Sequence, residues 1–160
     1  HGRTKAQGYS GKSDWARIAK AKQRATVPLL ANGDIHEWFQ VDQALDATGA
    51  DGVLIARGAL GNPWFFAQYI AQSPHISLSQ RVAGVKEHLA LHIAQYGDKG
   101  IVTFRKHLSW YFKSQRIGQE LPEIKDWRSA IVRVNTKEEV EQLLNEFLVK
   151  YRSYDTQTLL

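Results

Sequence analysis

The sequence predicts an α/β unit followed by an all-α unit, and three features carry that expectation. Two short apolar runs, "VPLLANG" at 27–33 and "GVLIA" at 52–56, are continuous rather than alternating, as parallel strands buried on both faces are. A helical pattern precedes each run, so turn, helix and strand succeed one another twice, as in parallel α/β sheets. From about residue 75 no further run of this kind occurs, and helical periodicity takes over.

The elements follow in order. Ser13-Asp14 is a helix-start signal for Trp15, Ile18, Ala19 and Lys22, and the run at 27–33 is the strand that this helix leads into. Asp34 followed by Glu37 resembles a capping box and predicts a second helix carrying Trp38, Val41, Ala44 and Leu45. The second strand at 52–56 ends in "ARGALGNPW". Two strands do not make a stable parallel sheet, and "HGRT" at the start sits where the turn after a third strand belongs. Further strands are therefore expected before His1, which with the absence of Met reads as a piece of something longer or a processed form.

The helical unit is expected over 73–160, beginning near Ser73-Pro74, with 1–72 as the α/β part. Residues 79–96 put Val82, Val85, Leu89, His92, Ile93 and Tyr96 on one stripe. Residues 101–116 repeat it as one helix, with Ile101, Phe104, Leu108, Tyr111 and Phe112 facing the core. Thr136 as N-cap with Glu139 three residues on opens a last helix through Val140, Leu143, Leu144, Phe147, Leu148 and Tyr151. The polar tail after Tyr151 is expected to fray.

Composition narrows the chemistry. With 160 residues, 43% hydrophobic and 23% charged, the chain is ordinary globular material. No run of about 18 apolar residues and no charged-then-apolar leader occurs, so a cytoplasmic setting without membrane contact is expected. The chain has no cysteine, which excludes disulfides, thiolate metal sites and a Cys nucleophile or acid within these residues. No metal partner is expected. The net charge of +5 is uneven, since residues 99–119 hold Lys99, Arg105, Lys106, Lys113 and Arg116 with no carboxylate. On one helix, Arg105, Lys106, Lys113 and Arg116 would share an arc beside the apolar stripe. Such a face suits a polyanion, and the competing reading is a solvated, solubilising surface. Trp110 would stack on a base or fill a domain interface, and His107 reads as structural.

In sheets of this kind functional residues sit in the turns after the strands. Three such turns are present, "HGRTK", "NGDI" and "ARGALGNPW". Gly33 and Gly58 leave backbone N–H groups free beside helix starts and Arg57 adds a fixed positive charge, a combination that holds phosphate. The alternative keeps both as plain turn glycines and pairs Arg57 with a nearby Asp.

The stretches "HGRTKAQGYSGKSDWARIAKAKQ", "VPLLANGDI", "TGADGVLIARGALGNPWFF" and "RKHLSWYF" together resemble the carboxyl-terminal half of the bacterial tRNA-dihydrouridine synthases, over nearly the whole chain and in the right order. That resemblance implies the last βα units of an FMN-binding (β/α)8 TIM barrel followed by a helical tRNA-binding domain, in a tRNA-uridine reductase that uses NADPH. His1 resembles the family's flavin-facing His after the sixth strand, and Asn32, Gly33 and Asp34 its Asn-Gly-Asp turn on the phosphate side. Ala56 and Arg57 resemble its phosphate-binding Gly-Arg pair, with Ala56 departing from Gly by one methyl. Arg3 and Tyr9 fall on the substrate side, and Arg105, Lys106, Lys113 and Arg116 become candidate tRNA contacts. The family's catalytic Cys and its flavin-contacting Gln and Lys belong to the preceding half, so no catalytic residue is expected in this chain and the chain alone is expected to be inactive. The alternatives are another FMN barrel such as a dihydroorotate dehydrogenase, against which the basic helices and "RKHLSWYF" speak, and a non-catalytic RNA-binding module on a decayed barrel.

Overall fold

A computed structural model describes residues 1–73 and 75–155. The chain divides into two compact units, 1–74 and 75–160.

In the first unit Asp14 caps helix α1 (Trp15–Lys22), its carboxylate accepting from Arg17 N–H at 3.1 Å. Strand β1 (Leu30–Asn32) pairs in parallel with β2 (Gly52–Leu54), with Leu30 opposite Gly52 and Asn32 opposite Leu54. Between them lies α2 (Gln40–Thr48), closed by Gly49 in the left-handed region at φ 61°. A short 3-10 turn (Arg57–Ala59) and α3 (Phe65–Ala71) complete the unit. Ile35, Val41, Ala44 and Phe65 form the core, with Trp15, Val53, Ile55 and Tyr69 packed on it. Lys22 holds Asp51 at 2.6 Å while Asp51 accepts from Leu29 N–H, which ties the end of α1 to the approaches of both strands.

Two expectations for this unit need correction. Asp34 and Glu37 do not start α2. Asp34 lies at φ 59°, its carboxylate is occupied elsewhere, and the N–H groups of His36 and Glu37 are instead satisfied by the Gln40 side chain, so the helix begins six residues later. The strands are also not buried on both faces, for Val27, Leu30 and Leu54 are 68%, 53% and 51% exposed. A two-stranded sheet covered by these helices leaves its other side open.

In the second unit Ser77 and Gln80 form a reciprocal capping box on α4 (Leu78–Tyr96). Val82, Val85 and Leu89 are buried, whereas Tyr96 at the end of the expected stripe is exposed. Helix α5 (Gly100–Tyr111) buries Ile101, Phe104, Leu108 and Tyr111 as expected. It does not continue to 116. Lys113 is extended and caps a separate single turn, α6 (Ser114–Ile117). Helix α7 (Ile124–Ile131), unforeseen, sends Trp127 into a ring cluster with Phe112 and Phe147, the three centroids 4.6–5.1 Å apart. Helix α8 (Lys137–Lys150) starts at Thr136, whose hydroxyl accepts from Glu139 N–H. The Glu139 carboxylate reaches the N–H of Asn135 rather than that of Thr136.

Arg81 is buried and donates to the carbonyls of Tyr111 and Arg116, stitching α4 to the α5–α6 break. Burial, then the Arg116 charge, lowers its pKa to about 10. The tail expected to fray after Tyr151 instead forms a turn, α9 (Arg152–Asp155), and Asp155 accepts from Leu78 and Ser79 N–H at the start of α4. Pro74 and the polar tail at 156–160 lie outside the described residues.

Candidate functional site

The site grows from the carboxyl ends of the two strands. The Asn32 amide donates to the Leu54 carbonyl at 2.7 Å and locks the ends together. Gly33 follows at φ 120°, where side chains are strained, and an added Cβ would collide with the Ser13 side chain and come within 3.2 Å of His1. Its carbonyl accepts from the Trp15 indole N–H. Gly2 is as tightly placed, since a Cβ there would lie 2.5 Å from the Ser13 hydroxyl. Two loops distant in sequence are thereby pressed together.

Asp34 sits at their junction. Its carboxylate accepts from both terminal nitrogens of Arg3, at 2.7 and 2.8 Å, and from the Ser13 N–H at 2.7 Å. Burial pushes its carboxyl up, but the Arg3 hydrogen bond, the Ser13 N–H and the Arg3 and His36 charges outweigh that and hold its pKa below the ordinary 3.8. Arg3 also donates to the carbonyls of Ser10 and Gly11, and its backbone N–H donates to His1 Nδ1. The guanidinium is 6% exposed and turned onto the protein. Arg3 therefore frames the loop at 3–11.

Arg57 is placed differently. It starts the 3-10 turn after β2, is 45% exposed, lies over the Tyr9 ring at 4.8 Å and stands 3.7 Å from Asp34. Arg57 thus has a nearby Asp, yet the pair is loose and Asp34 is dominated by Arg3. Ala56 precedes it, exposed. Gly58 is buried, and a Cβ there would run into the Ile35 carbonyl. The buried Ser13 hydroxyl beside Gly33 has no hydrogen-bond partner among the described residues. Gly2, Gly33 and Gly58 let the backbone pack closely against Ser13 and Ile35, and Arg57 is left as the exposed guanidinium at the strand ends, the group there whose chemistry fits an anion such as a phosphate.

His1, Arg3, Tyr9, Asn32, Gly33, Asp34 and Arg57 thus converge. Ser13 is not among the residues the sequence points to, since a Ser before a helix is an ordinary start signal.

The basic residues of the second unit do not share one helix face, because α5 stops at Tyr111 and places Lys113 and Arg116 on other elements. Arg105 donates to the carbonyls of Arg133 and Val134 and to the Asn135 side chain, fixing the α7–α8 turn. Lys106 and Lys113 are exposed and Arg116 is half-buried. Trp110 is half-buried with its ring edge on His107. His107 belongs to a cluster with His88 and His92 that sequence reasoning missed, although the four-residue spacing of His88 and His92 was readable. Burial first, then the neighbouring His88, Lys106 and His92 charges, lower the His107 pKa to about 4.

An α/β unit with Arg3, Asp34 and Arg57 gathered at its strand ends, followed along the chain by a helical unit, defines the class. The dihydrouridine synthase (Dus) family model matches residues 1–152, and the chain belongs to that family. It is 42% identical over 153 residues to the "Probable tRNA-dihydrouridine synthase" of Mycobacterium leprae, covering 91% of this chain and 38% of that protein. It is 35% identical to "Probable tRNA-dihydrouridine synthase 1" of Synechocystis, with 91% of this chain and 41% of the relative covered. The Rickettsia bellii relative of the same name is 34% identical, at 92% and 45%. The chain thus spans about two fifths of the length of these curated relatives. Among the described residues no helix is long and apolar enough to cross a membrane.

Proposed function

We propose that this chain is the carboxyl-terminal portion of an FMN-dependent tRNA-dihydrouridine synthase, a cytoplasmic enzyme that reduces uridine in tRNA with NADPH. Residues 1–72 supply the last βα units of a (β/α)8 barrel, and residues 73–160 a helical tRNA-binding domain. The observation that carries this reading is the half-exposed Arg57 at the end of β2, held over Tyr9 and 3.7 Å from Asp34, in a chain of this family. The open side of the sheet at Val27, Leu30 and Leu54 is what remaining barrel strands would cover.

Arg57, exposed at the end of β2, would hold the flavin phosphate through its guanidinium. Asn32 holds the two strand ends in register under it. Asp34 acts through Arg3, which shapes the 3–11 loop and so places His1 toward the flavin and Tyr9 toward the substrate. Ala56, with one methyl more than Gly, still lets the backbone approach. FMN, when bound, would supply hydride-transfer chemistry, with NADPH as the reductant. The proton donor that the family resemblance implies is a Cys, and this chain carries none. Lys106, Lys113 and Arg116 contact tRNA phosphates, which helps offset the cost of extruding a stacked uridine. Arg105 supports that surface through the α7–α8 turn.

The test is uridine reduction in tRNA by the full-length protein and by this chain alone, each with FMN and NADPH. Dihydrouridine is expected from the full-length protein only. Turnover by the chain alone overturns its role as a partial catalytic unit, and failure of the flavin-loaded full-length protein overturns the enzyme in favour of a non-catalytic RNA-binding module.

A further inference from the structure

The helical unit holds a side-chain cluster that neither the flavin site nor the tRNA surface uses. His88 and His92 stand one turn apart on α4, and the His107 ring on α5 meets theirs at centroid distances of 4.7 and 5.7 Å. One ring nitrogen from each of the three lies within 4.8 Å of the others. We propose that His88, His92 and His107 bind a divalent transition-metal ion of the zinc class, pinning α4 to α5.

Imidazole nitrogen is a borderline donor that selects zinc, copper or nickel over magnesium and calcium, and three such donors with water in the fourth position make a tetrahedral set. Metal–nitrogen bonds of about 2.0–2.1 Å place tetrahedral ligand atoms about 3.4 Å apart. The three nitrogens, now within 4.8 Å of one another, would draw in to that spacing around the ion. Their outer partners are already in place. The Thr103 hydroxyl lies 2.8 Å from His92 Nε2 and 3.0 Å from the Gly100 carbonyl, and with its proton on that carbonyl it accepts from His92 Nε2–H, which leaves the ring's lone pair on Nδ1. The Tyr111 hydroxyl lies 3.1 Å from His88 Nδ1, so a proton held there leaves Nε2 free for the metal. A second ring nitrogen fixed by a hydrogen bond is the usual support of a metal-ligating His. The Lys106 charge next to His107 opposes a cation, which sets the expected affinity in the micromolar range. The competing account is aromatic packing alone, because all three rings also lie 4.9–5.4 Å from Phe104.

The test is calorimetric titration of the tag-free full chain with zinc chloride, backed by the visible spectrum on adding cobalt(II). One ion per chain is expected, with the absorption of tetrahedral cobalt. His92→Gln and His107→Gln should each weaken binding at least tenfold and abolish the rise in Tm that zinc gives the wild type. If His107→Gln loses its helical circular dichroism, His92→Gln decides alone, since its hydrogen bond lies at the surface. No saturable binding, or binding that survives the folded substitutions and so resides at other histidines, overturns the site.

Discussion

Arg3 and Asp34, 31 residues apart, form a two-pronged ion pair at 2.7 and 2.8 Å that fastens the loop at 3–11 to the end of β1. With the guanidinium side 6% exposed and the carboxylate also taking the Ser13 N–H, the pair is more than a surface contact. Asp34→Asn should lower the Tm of the first unit at neutral pH. Because the Asp34 pKa is held below 3.8 in the folded chain, its stabilisation is full above that value and is lost as pH falls through the lower folded value. Melting curves of wild type and variant should therefore begin to approach one another below about pH 3.8 and meet below the lower folded value, and a gap that stays constant into acid would detach the effect from the carboxylate charge.

Arg57 has no such tight partner, so its removal should be felt by the ligand rather than by the fold. A charge-assisted hydrogen bond contributes about 1.5–3 kcal/mol. In the full-length protein Arg57→Ala should weaken FMN retention by roughly 10–100-fold at nearly unchanged Tm, read from the flavin absorbance of the purified protein. Unchanged flavin occupancy would take Arg57 out of the flavin site.

Lys106 and Lys113 are exposed on separate elements, and their joint replacement by Ala should weaken binding of different tRNAs about equally. For every lysine–phosphate pair removed, the dependence of log affinity on log salt should flatten by roughly 0.7–0.9. Flavin content should stay the same. Parallel slopes with equal affinities for wild type and double variant would leave the pair as a solubilising surface.

Arg105 predicts the opposite pattern. Its guanidinium fastens the turn between α7 and α8, so Arg105→Ala should lower the Tm of the helical unit by leaving those carbonyls without their donor. If tRNA affinity falls while thermal stability does not, the structural role is wrong.

Phe147 is fully buried against Phe112, Trp127 and Tyr151. Truncating a buried Phe to Ala costs about 3–5 kcal/mol. Denaturant unfolding of Phe147→Ala should show a decrease in stability of that order in the helical unit, and a decrease under about 1 kcal/mol would mean that the cluster repacks.

The parts legible in the sequence are those fixed by local periodicity. The apolar runs marked both parallel strands, and Val82, Val85 and Leu89 of α4 with the core positions of α5 and α8 fell on buried faces, because a 3.6-residue repeat is a property of the segment itself. What escaped was decided by partners far along the chain. Asp34 has the form of a cap, but Arg3 and Ser13 claim its carboxylate, and no local pattern contains that competition. Lys113 continues the helical repeat on paper, yet the chain breaks there, where the buried Arg81 takes up the carbonyls of Tyr111 and Arg116 on either side. The histidine cluster likewise needs two helices to exist.

Asp155 closing on the N–H groups of Leu78 and Ser79 brings the last described turn of the helical unit to its first, across 77 residues. A module whose head and tail meet at one spot can be spliced into a loop, exchanged whole, or circularly permuted, without threading through its surroundings. By that logic the helical unit is a cassette: joining residue 155 back to residue 77 and reopening the chain at the Lys113 break should preserve its architecture.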